Sequence, residues 1–395
     1  MQKTIFQSGI LIFWIIFPGI LPGSGTRVDF VDAFAVGRGN AFSATADNPS
    51  AVYYNPAGIT QLEGFQVRGG SYFIALDYSV EIDGRDIEMD DSLQALPNLF
   101  VTSRWKKESP VWLGLGVYVP FGLATDWPDD SPFFAVADRA DLRYITVNPV
   151  IAWKLSERFS IGAGPTVNQA KLEFSQNLIG FHFDGTDTSP GYVLSALWKA
   201  TERHHFALLH RSFSDSNFTG SVELPVAPGT VLSSPAGASF PFPDIWRAGY
   251  SFRPNPRWNL EVNLEWMDWD VLNTVVLEND INPVPFVFDW NSSWFYEFGV
   301  TRYLNGGYHV SAGYDWVENS IPDATFTPVV PDSDRHFFSV GAGYQGERWS
   351  WDVALQYGTG SRTLPSNPAA PPGFQFGGKH ETDTYAFNLT FAYHY

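Results

Sequence analysis

The 395-residue sequence has no cysteine, which excludes disulfide frameworks and thiolate chemistry and is compatible with a compartment outside the cytoplasm. It also lacks a long hydrophobic run. The apolar stretch from Ile10 to Phe17 falls short of the ~20 residues that a membrane-crossing helix needs, and no later run is long enough. Any membrane reading of this chain therefore requires strands. Positive charge is scarce: 24 Lys and Arg against 42 Asp and Glu leave a net charge of −18. That disfavours a phosphate-binding surface, which works by clustered cations displacing counterions, so no nucleic-acid partner is expected. The eight His form no catalytic or metal motif. His204-His205 falls at a predicted turn, His309 follows a Gly-Gly pair and His336 follows Arg335, none with a His-Glu-x-x-His spacing. The acidic stretches Asp77 to Asp91 and Asp126 to Asp141 lack the Asp-x-Asp-x-Asp-Gly pattern of a dedicated calcium loop. Their carboxylates read as solvation, or as sites for divalent-cation bridging to anionic lipid, and the sequence predicts no resident metal, no cofactor and no enzyme.

What the chain does have is 16% aromatic residues, 35 Gly, 28 Pro and repeated period-2 patterning, which point to one large all-β architecture. Residues 1–25 read as a secretory signal peptide: Lys3, the run Ile10 to Phe17, helix-breaking Pro18 and Pro22, then small residues before Thr26. Residues 26–65 read as a plug. Between Asp32 and Gly64 the small side chains (Ala33, Ala35, Gly37, Gly39, Ala41 among them) allow close backbone packing but bury too little apolar area for a core of their own.

Residues 66–395 then alternate. Asn259, Glu261, Asn263 and Glu265 interleave with Leu260, Val262, Leu264 and Trp266, so one strand has a polar face and an apolar one. A wet lumen facing away from lipid and a soluble barrel with an apolar interior both fit, and bracketing aromatics decide between them. We count about 14 strands, an even number as single-chain outer-membrane barrels require. The third is expected over Val111–Phe121, the sixth over Gly191–Lys199 and the ninth over Trp258–Leu277. Tight turns such as Asn305-Gly306-Gly307 and Gly346-Glu347-Arg348 alternate with loops of roughly 15 to 20 residues, and the long loops face outside.

Several motifs carry a family resemblance. Gly37-x-Gly39-x-Ala41, Ala46-Asp47-x-x-Ser50-Ala51 and Asn55-Pro56-Ala57-Gly58 resemble the N-terminal hatch of the FadL family, outer-membrane transporters of long-chain fatty acids and aromatic hydrocarbons. The resemblance continues through Pro120-Phe121-Gly122-Leu123-Ala124-Thr125, Pro243-Asp244-x-Trp246 and Pro331-Asp332-x-Asp334-Arg335 to the aromatic C-terminus. It implies a transmembrane β-barrel of about 14 strands with the hatch inside the lumen, in the bacterial outer membrane. The implied function is capture of a hydrophobic small molecule in an apolar pocket and its lateral diffusion through a gap in the wall. Lipid and lipopolysaccharide would be the neighbours, and a monomer is expected.

Pro120 lacks an N–H and Gly122 relaxes the backbone, so Pro120-Phe121-Gly122 marks where the third strand kinks or simply ends. The resemblance joins Asn55, Pro56 and Ala57 to that passage. It also implies that the N-terminus folds into the barrel, with Phe30 and Phe34 against ligand or wall. Lys171, Arg247 and Arg335 are candidate partners for a fatty-acid carboxylate, or for lumen acids such as Glu261, Glu265 and Asp334. One departure is the short connection Ser175 to Pro190, where fatty-acid members of the resembled family carry a long extracellular insertion. Neutral hydrocarbons therefore stand beside fatty acids as expected substrates. Tyr395, with Tyr393 and Phe391 on the same face, resembles the terminal signal read by the barrel-insertion machinery. The rivals are a general diffusion porin, a non-transporting surface or adhesin barrel, and an outer-membrane lipase with a wall Ser and His.

Overall fold

The computed structural model describes residues 24–395 apart from 83, 91, 136–138, 177–179, 228, 368–370 and 372. Most of the predicted signal segment, residues 1–23, lies outside the described residues.

Fourteen antiparallel strands close into a barrel. They are β1 (Phe65–Ile82), β2 (Ser92–Arg104), β3 (Val111–Asp126), β4 (Arg139–Lys154), β5 (Phe159–Gln176), β6 (Phe181–Lys199), β7 (His204–Arg211 and Ser214–Ala227), β8 (Thr230–Phe242 and Ile245–Asn255), β9 (Trp258–Met267), β10 (Ser293–Tyr303), β11 (Tyr308–Val317), β12 (Arg335–Gln345), β13 (Trp349–Leu364) and β14 (Gly378–His394). Closure runs from Gln66 opposite His394 to Glu81 opposite Lys379, so β1 has no free edge against β14. A ribbon strand Arg85–Glu88 folds back on β1, and a hairpin of Thr274–Asn279 with Val284–Val287 rises from the β9–β10 connection.

Burial decides which face meets lipid. Asn259, Glu261, Asn263 and Glu265 on β9 are at most 2% exposed, whereas Leu260, Val262 and Leu264 are 38–43% exposed. The polar face is therefore the inner one. Outward aliphatics such as Leu113, Leu115, Ile151, Ile161, Leu208 and Val310 form the exposed band. Trp105, Trp153, Trp198, Trp258, Tyr308 and Trp349 stand near the short-turn ends, and Tyr192, Trp246, Trp294 and Phe338 stand toward the long-loop side. Two aromatic girdles around an apolar belt mark a transmembrane barrel.

The boundaries expected for the third, sixth and ninth strands all differ, and the eighth strand begins at Thr230 rather than Phe240. β6 begins at Phe181 rather than Gly191, because 181–190 ladders against Gln176–Val167 despite its Asp, Gly and Pro residues. Inward Phe181 and Phe183 are buried there, and that burial outweighs local turn chemistry. β9 stops at Met267, where the chain turns through a 3₁₀ segment, Trp269–Val271, into the separate hairpin. β3 continues past Phe121 to Asp126 instead of ending.

Inside the barrel lies the plug, with two one-turn helices, α1 (Ala33–Val36) and α2 (Ala51–Tyr54), and a 3₁₀ turn over Pro56–Gln61. Its small residues serve contact with the wall. A Cβ on Gly37 would sit 2.7 Å from the Gly341 Cα, so backbone lies almost directly on backbone there.

Candidate functional site

The lower lumen is an ion-paired seal. Arg68 of β1 reaches Asp32 of the plug at 2.5 Å and Asp352 of β13 at 2.8 Å. Arg247 of β8 meets Glu265 at 2.5 Å, Glu297 at 3.1 Å and plug residue Asp29 at 3.8 Å. Glu261 accepts from the Ala44 and Thr45 backbone N–H groups at 2.7 and 3.0 Å, with Arg38 3.6 Å away. Charges this deeply buried hold their places only when paired and hydrogen-bonded.

Above the seal, β3 leaves its neighbour. β2 and β3 pair from Arg104 opposite Trp112 up to Leu99 opposite Val117, and then the ladder stops while β3 runs on beside β4. Between Tyr118 and Phe121 the β3–β4 register shifts by one residue, a bulge that turns the strand. The backbone groups released by the break are taken up from inside. Val28 N–H donates to the Pro120 carbonyl at 2.8 Å, Gly122 N–H donates to the Thr26 carbonyl at 2.9 Å, and Arg27 links the Pro120 carbonyl (3.1 Å) to Glu265 (3.2 Å). Phe121 packs inward against Tyr144, Phe242 and Trp269. The break is closed at its outer end by Asp90 N–H donating to the Asp126 carbonyl at 3.0 Å. The result is a gap in the ladder between the upper halves of β2 and β3.

Directly above the bulge lies a cavity of roughly 320 Å3, within the range of about 300–1,000 Å3 usual for small-molecule sites. Leu123, Leu142, Phe174, Phe183, Phe240 and Trp290 are among its walls, and Thr26 and Leu123 place its floor against the Gly122–Thr26 hydrogen bond. Its polar lining is neutral: Thr26, Gln176, Thr325 and Thr327, with no Lys, Arg, His, Asp or Glu among the described residues that line it. The loop from 318 to 334 closes over it and is pinned by Asp332, which accepts from Gly25 N–H at 3.0 Å and Ser320 N–H at 2.9 Å. Burial pushes the Asp332 carboxyl above its ordinary range, while the Arg335 charge pulls it back.

The predicted site residues are spread over these features. Pro120, Phe121 and Gly122 form the bulge. Asn55, Pro56 and Ala57 sit elsewhere, on the β5–β6 wall: Asn55 donates to the Ala196 carbonyl at 3.2 Å, and the Ala57 N–H donates to Ser195 Oγ at 2.9 Å. A Cβ on Gly162 would meet the Pro56 carbonyl carbon at 2.7 Å. α2 bridges the two segments, with Tyr53 against Tyr118. Phe30 stacks on Tyr72 and meets Phe337 edge-on, and Phe34 meets Phe42 and His309, so neither lines the cavity. Lys171 pairs with Glu173 and with Asp184 at 3.1 Å. Arg335 donates to the Pro331 carbonyl at 2.9 Å, beside Asp332. The three cations considered for a carboxylate thus have partners already, and none faces the cavity.

The cavity residues themselves escaped sequence reasoning, because they come one to three from each of many strands. A signal was present. Along β5 the inward positions change from Thr166 and Asn168 to Ala170, Leu172 and Phe174, and along β4 from Asn148 and Thr146 to Tyr144, Leu142 and Ala140.

Comparison with known proteins places this geometry. Residues 23–395 match the family model described as outer membrane protein transport protein (OMPP1/FadL/TodX). The chain belongs to that family. It is similar to the long-chain fatty acid transport proteins of Escherichia coli O6:H1 (22% identical, covering 99% of this chain and 100% of the relative) and of E. coli K12 (21%, 90% and 92%). Among solved structures, a Pseudomonas aeruginosa FadL homologue superposes with a TM-score of 0.83 at 19% identity, over 94% of this chain and 100% of the other. The Pseudomonas putida toluene transporter TodX gives 0.72 at 14% identity, over 94% and 100%. As a member of the OMPP1/FadL/TodX family the protein is a non-enzymatic transport barrel of the bacterial outer membrane.

Proposed function

We propose that this barrel carries neutral apolar small molecules, aromatic or aliphatic hydrocarbons, in preference to long-chain carboxylates, and discharges them sideways through the β2–β3 gap. The observation that supports the substrate class is the cavity wall, which is apolar with only neutral polar groups. A carboxylate held there would be a buried anion without a cation, at a cost of several kcal/mol. A hydrocarbon gains roughly 0.8 kcal/mol per methylene on leaving water, and sideways release into lipid keeps that gain. The plug supports the direction of release, because ion pairs and close backbone contact fill the lumen below. On this reading Pro120, Phe121 and Gly122 form the sill of the gap. Asn55, Pro56 and Ala57 fix the plug floor on β5–β6 and so keep the path from continuing downward.

Titrating purified protein in nanodiscs with toluene, octane and a long-chain fatty acid tests the substrate class. Saturable binding of the hydrocarbons with weak fatty-acid binding above neutral pH is expected. Tight binding of the ionised fatty acid with none of the hydrocarbons overturns it. The porin rival is separated by liposome swelling with small sugars, for which no uptake is expected. Tyr395 follows β14 directly, with its N–H donating to the Phe65 carbonyl at 2.8 Å, and its side chain is exposed. We propose that the insertion machinery reads it. Its deletion lowers heat-modifiable protein in the outer membrane on this account, and wild-type levels would dismiss the role.

A further inference from the structure

The wall has a second discontinuity, on the far side of the barrel from the β2–β3 gap. The lower piece of β8 pairs with β9 from Asn255 opposite Trp258 up to Ile245 opposite Met267. Its upper piece pairs with β7 along its whole length, yet on its other side it meets the β9–β10 hairpin only at Ala236 opposite Asn279 and Gly237 opposite Glu278. Among the described residues, 238–242 thus have no ladder partner on that side. Sequence explains why: Pro241 and Pro243 cannot donate to a ladder, and β9 ends at Met267, with its chain diverted through the 3₁₀ turn.

An outer-face groove of roughly 870 Å3 fills this interruption, between Asn217, Ser239 and Pro241 on one bank and Val271, Thr274 and Val276 on the other. Two of its lining residues, Phe218 and Ala238, also line the interior cavity. They face each other across β7 and β8, so one cross-strand pair separates groove from cavity. Trp246 and Trp294 of the outer girdle lie just below, which puts the groove above the hydrocarbon belt.

We propose that this break is the inlet: neutral apolar molecules reach the cavity from the side, between β8 and the hairpin, and leave through the β2–β3 gap. The inference rests on the cavity being the hydrocarbon site. Continuity with that cavity fixes the occupant of the groove as the same neutral hydrocarbon. Polar side chains around the groove (Asp215, Asn217, Thr219, Ser239, Glu278) keep it wetted and accessible from outside when it is empty.

The absence of native cysteine makes the test clean, because a single introduced thiol is unique. Ser239→Cys protein that also carries Val119→Trp, which fills the β2–β3 gap against backward entry from lipid, is placed in nanodiscs and modified after folding with a bulky methanethiosulfonate reagent. Binding of anthracene is then followed as the part of the stopped-flow tryptophan energy transfer that Trp290→Phe abolishes, since Trp290 lines the cavity and the girdle tryptophans face lipid. Modification is expected to slow association by about tenfold or more, with equilibrium affinity kept and reductant restoring the rate. The same reagent on Arg85→Cys, on the β1 ribbon across the mouth, should leave the rate alone. An unchanged association rate on modified Ser239→Cys overturns the inlet and leaves the cavity assignment standing. Loss of equilibrium affinity together with rate also overturns it, by putting the reagent in the cavity. No Trp290-dependent energy transfer in the unmodified protein overturns the cavity assignment and the inlet with it.

Discussion

The two halves of the lumen are built on the same strands and do opposite work. Below, inward positions carry Arg247, Asn259, Glu261, Asn263 and Glu265, and the plug is tied to them by ion pairs and hydrogen bonds. Above, inward positions carry Leu123, Leu142, Phe183 and Phe240 around a cavity. Binary alternation is identical in both halves, since what makes a barrel strand is only that its faces differ. The inner face changes its chemistry part-way up, and the change teaches where solute can reside. A polar lumen filled by its plug is a stopper, whereas an apolar lumen with neutral donors is a solvent for hydrocarbon. The β3 bulge sits at the boundary, where Thr26–Val28 of the plug replaces β2 as the strand's partner.

The most damaging way to break this contrast is to remove charge compensation from the lower half. Arg247→Leu removes the cation that Glu265, Glu297 and Asp29 share, leaving Glu265 with Arg27 alone, and a loss of roughly 3–5 kcal/mol is expected. Guanidinium unfolding of the refolded barrel reads it, and a change under about 1 kcal/mol would show that these pairs do not hold the plug. Next in size is to make the upper half resemble the lower. Leu142→Arg puts a cation into the cavity wall, so hydrocarbon affinity should fall by about tenfold or more while affinity for an ionised fatty acid rises. Equal loss of both ligands would mean that the cavity had collapsed rather than changed its preference. A milder change sharpens the comparison within the upper half. Phe240→Ala removes an aromatic wall, and a weakening of hydrocarbon binding by roughly 1–2 kcal/mol is expected with the seal intact. Calorimetric titration measures it.

Much of this was legible before any coordinates. The 14 strands, their alternation and the short turns follow from period-2 patterning and from Gly, Pro and Asn at tight connections, because burial of one strand face fixes register. The plug was readable as a stretch too poor in apolar area to stand alone. Less readable was the site. Pro120 and Gly122 announce a weak point, but whether a strand ends or bends there depends on a partner elsewhere in the chain, here the Thr26–Val28 backbone. Lys171, Arg247 and Arg335 were ambiguous for the same reason: a cation's role is set by the nearest acid in space. Residues 181–190 looked like a loop because Asp184, Gly185 and Pro190 are turn formers, and only the laddering of β6 on β5 shows them as wall. The cavity is assembled from six barrel strands, the β9–β10 connection with its hairpin, the 318–334 loop and the plug, and no linear motif holds it.

The central claim is that solute held in the apolar half leaves through the gap above the seal. Val119 lies in the unpaired stretch of the bulge and is half-buried, so Val119→Trp fills the gap from the membrane side without displacing the plug. Uptake of radiolabelled toluene in cells with matched surface protein, together with toluene binding by each purified variant, is the deciding measurement. A drop in uptake of about tenfold or more with unchanged equilibrium binding is the predicted result. Undiminished uptake by Val119→Trp, at equal surface level and equal affinity, would contradict it.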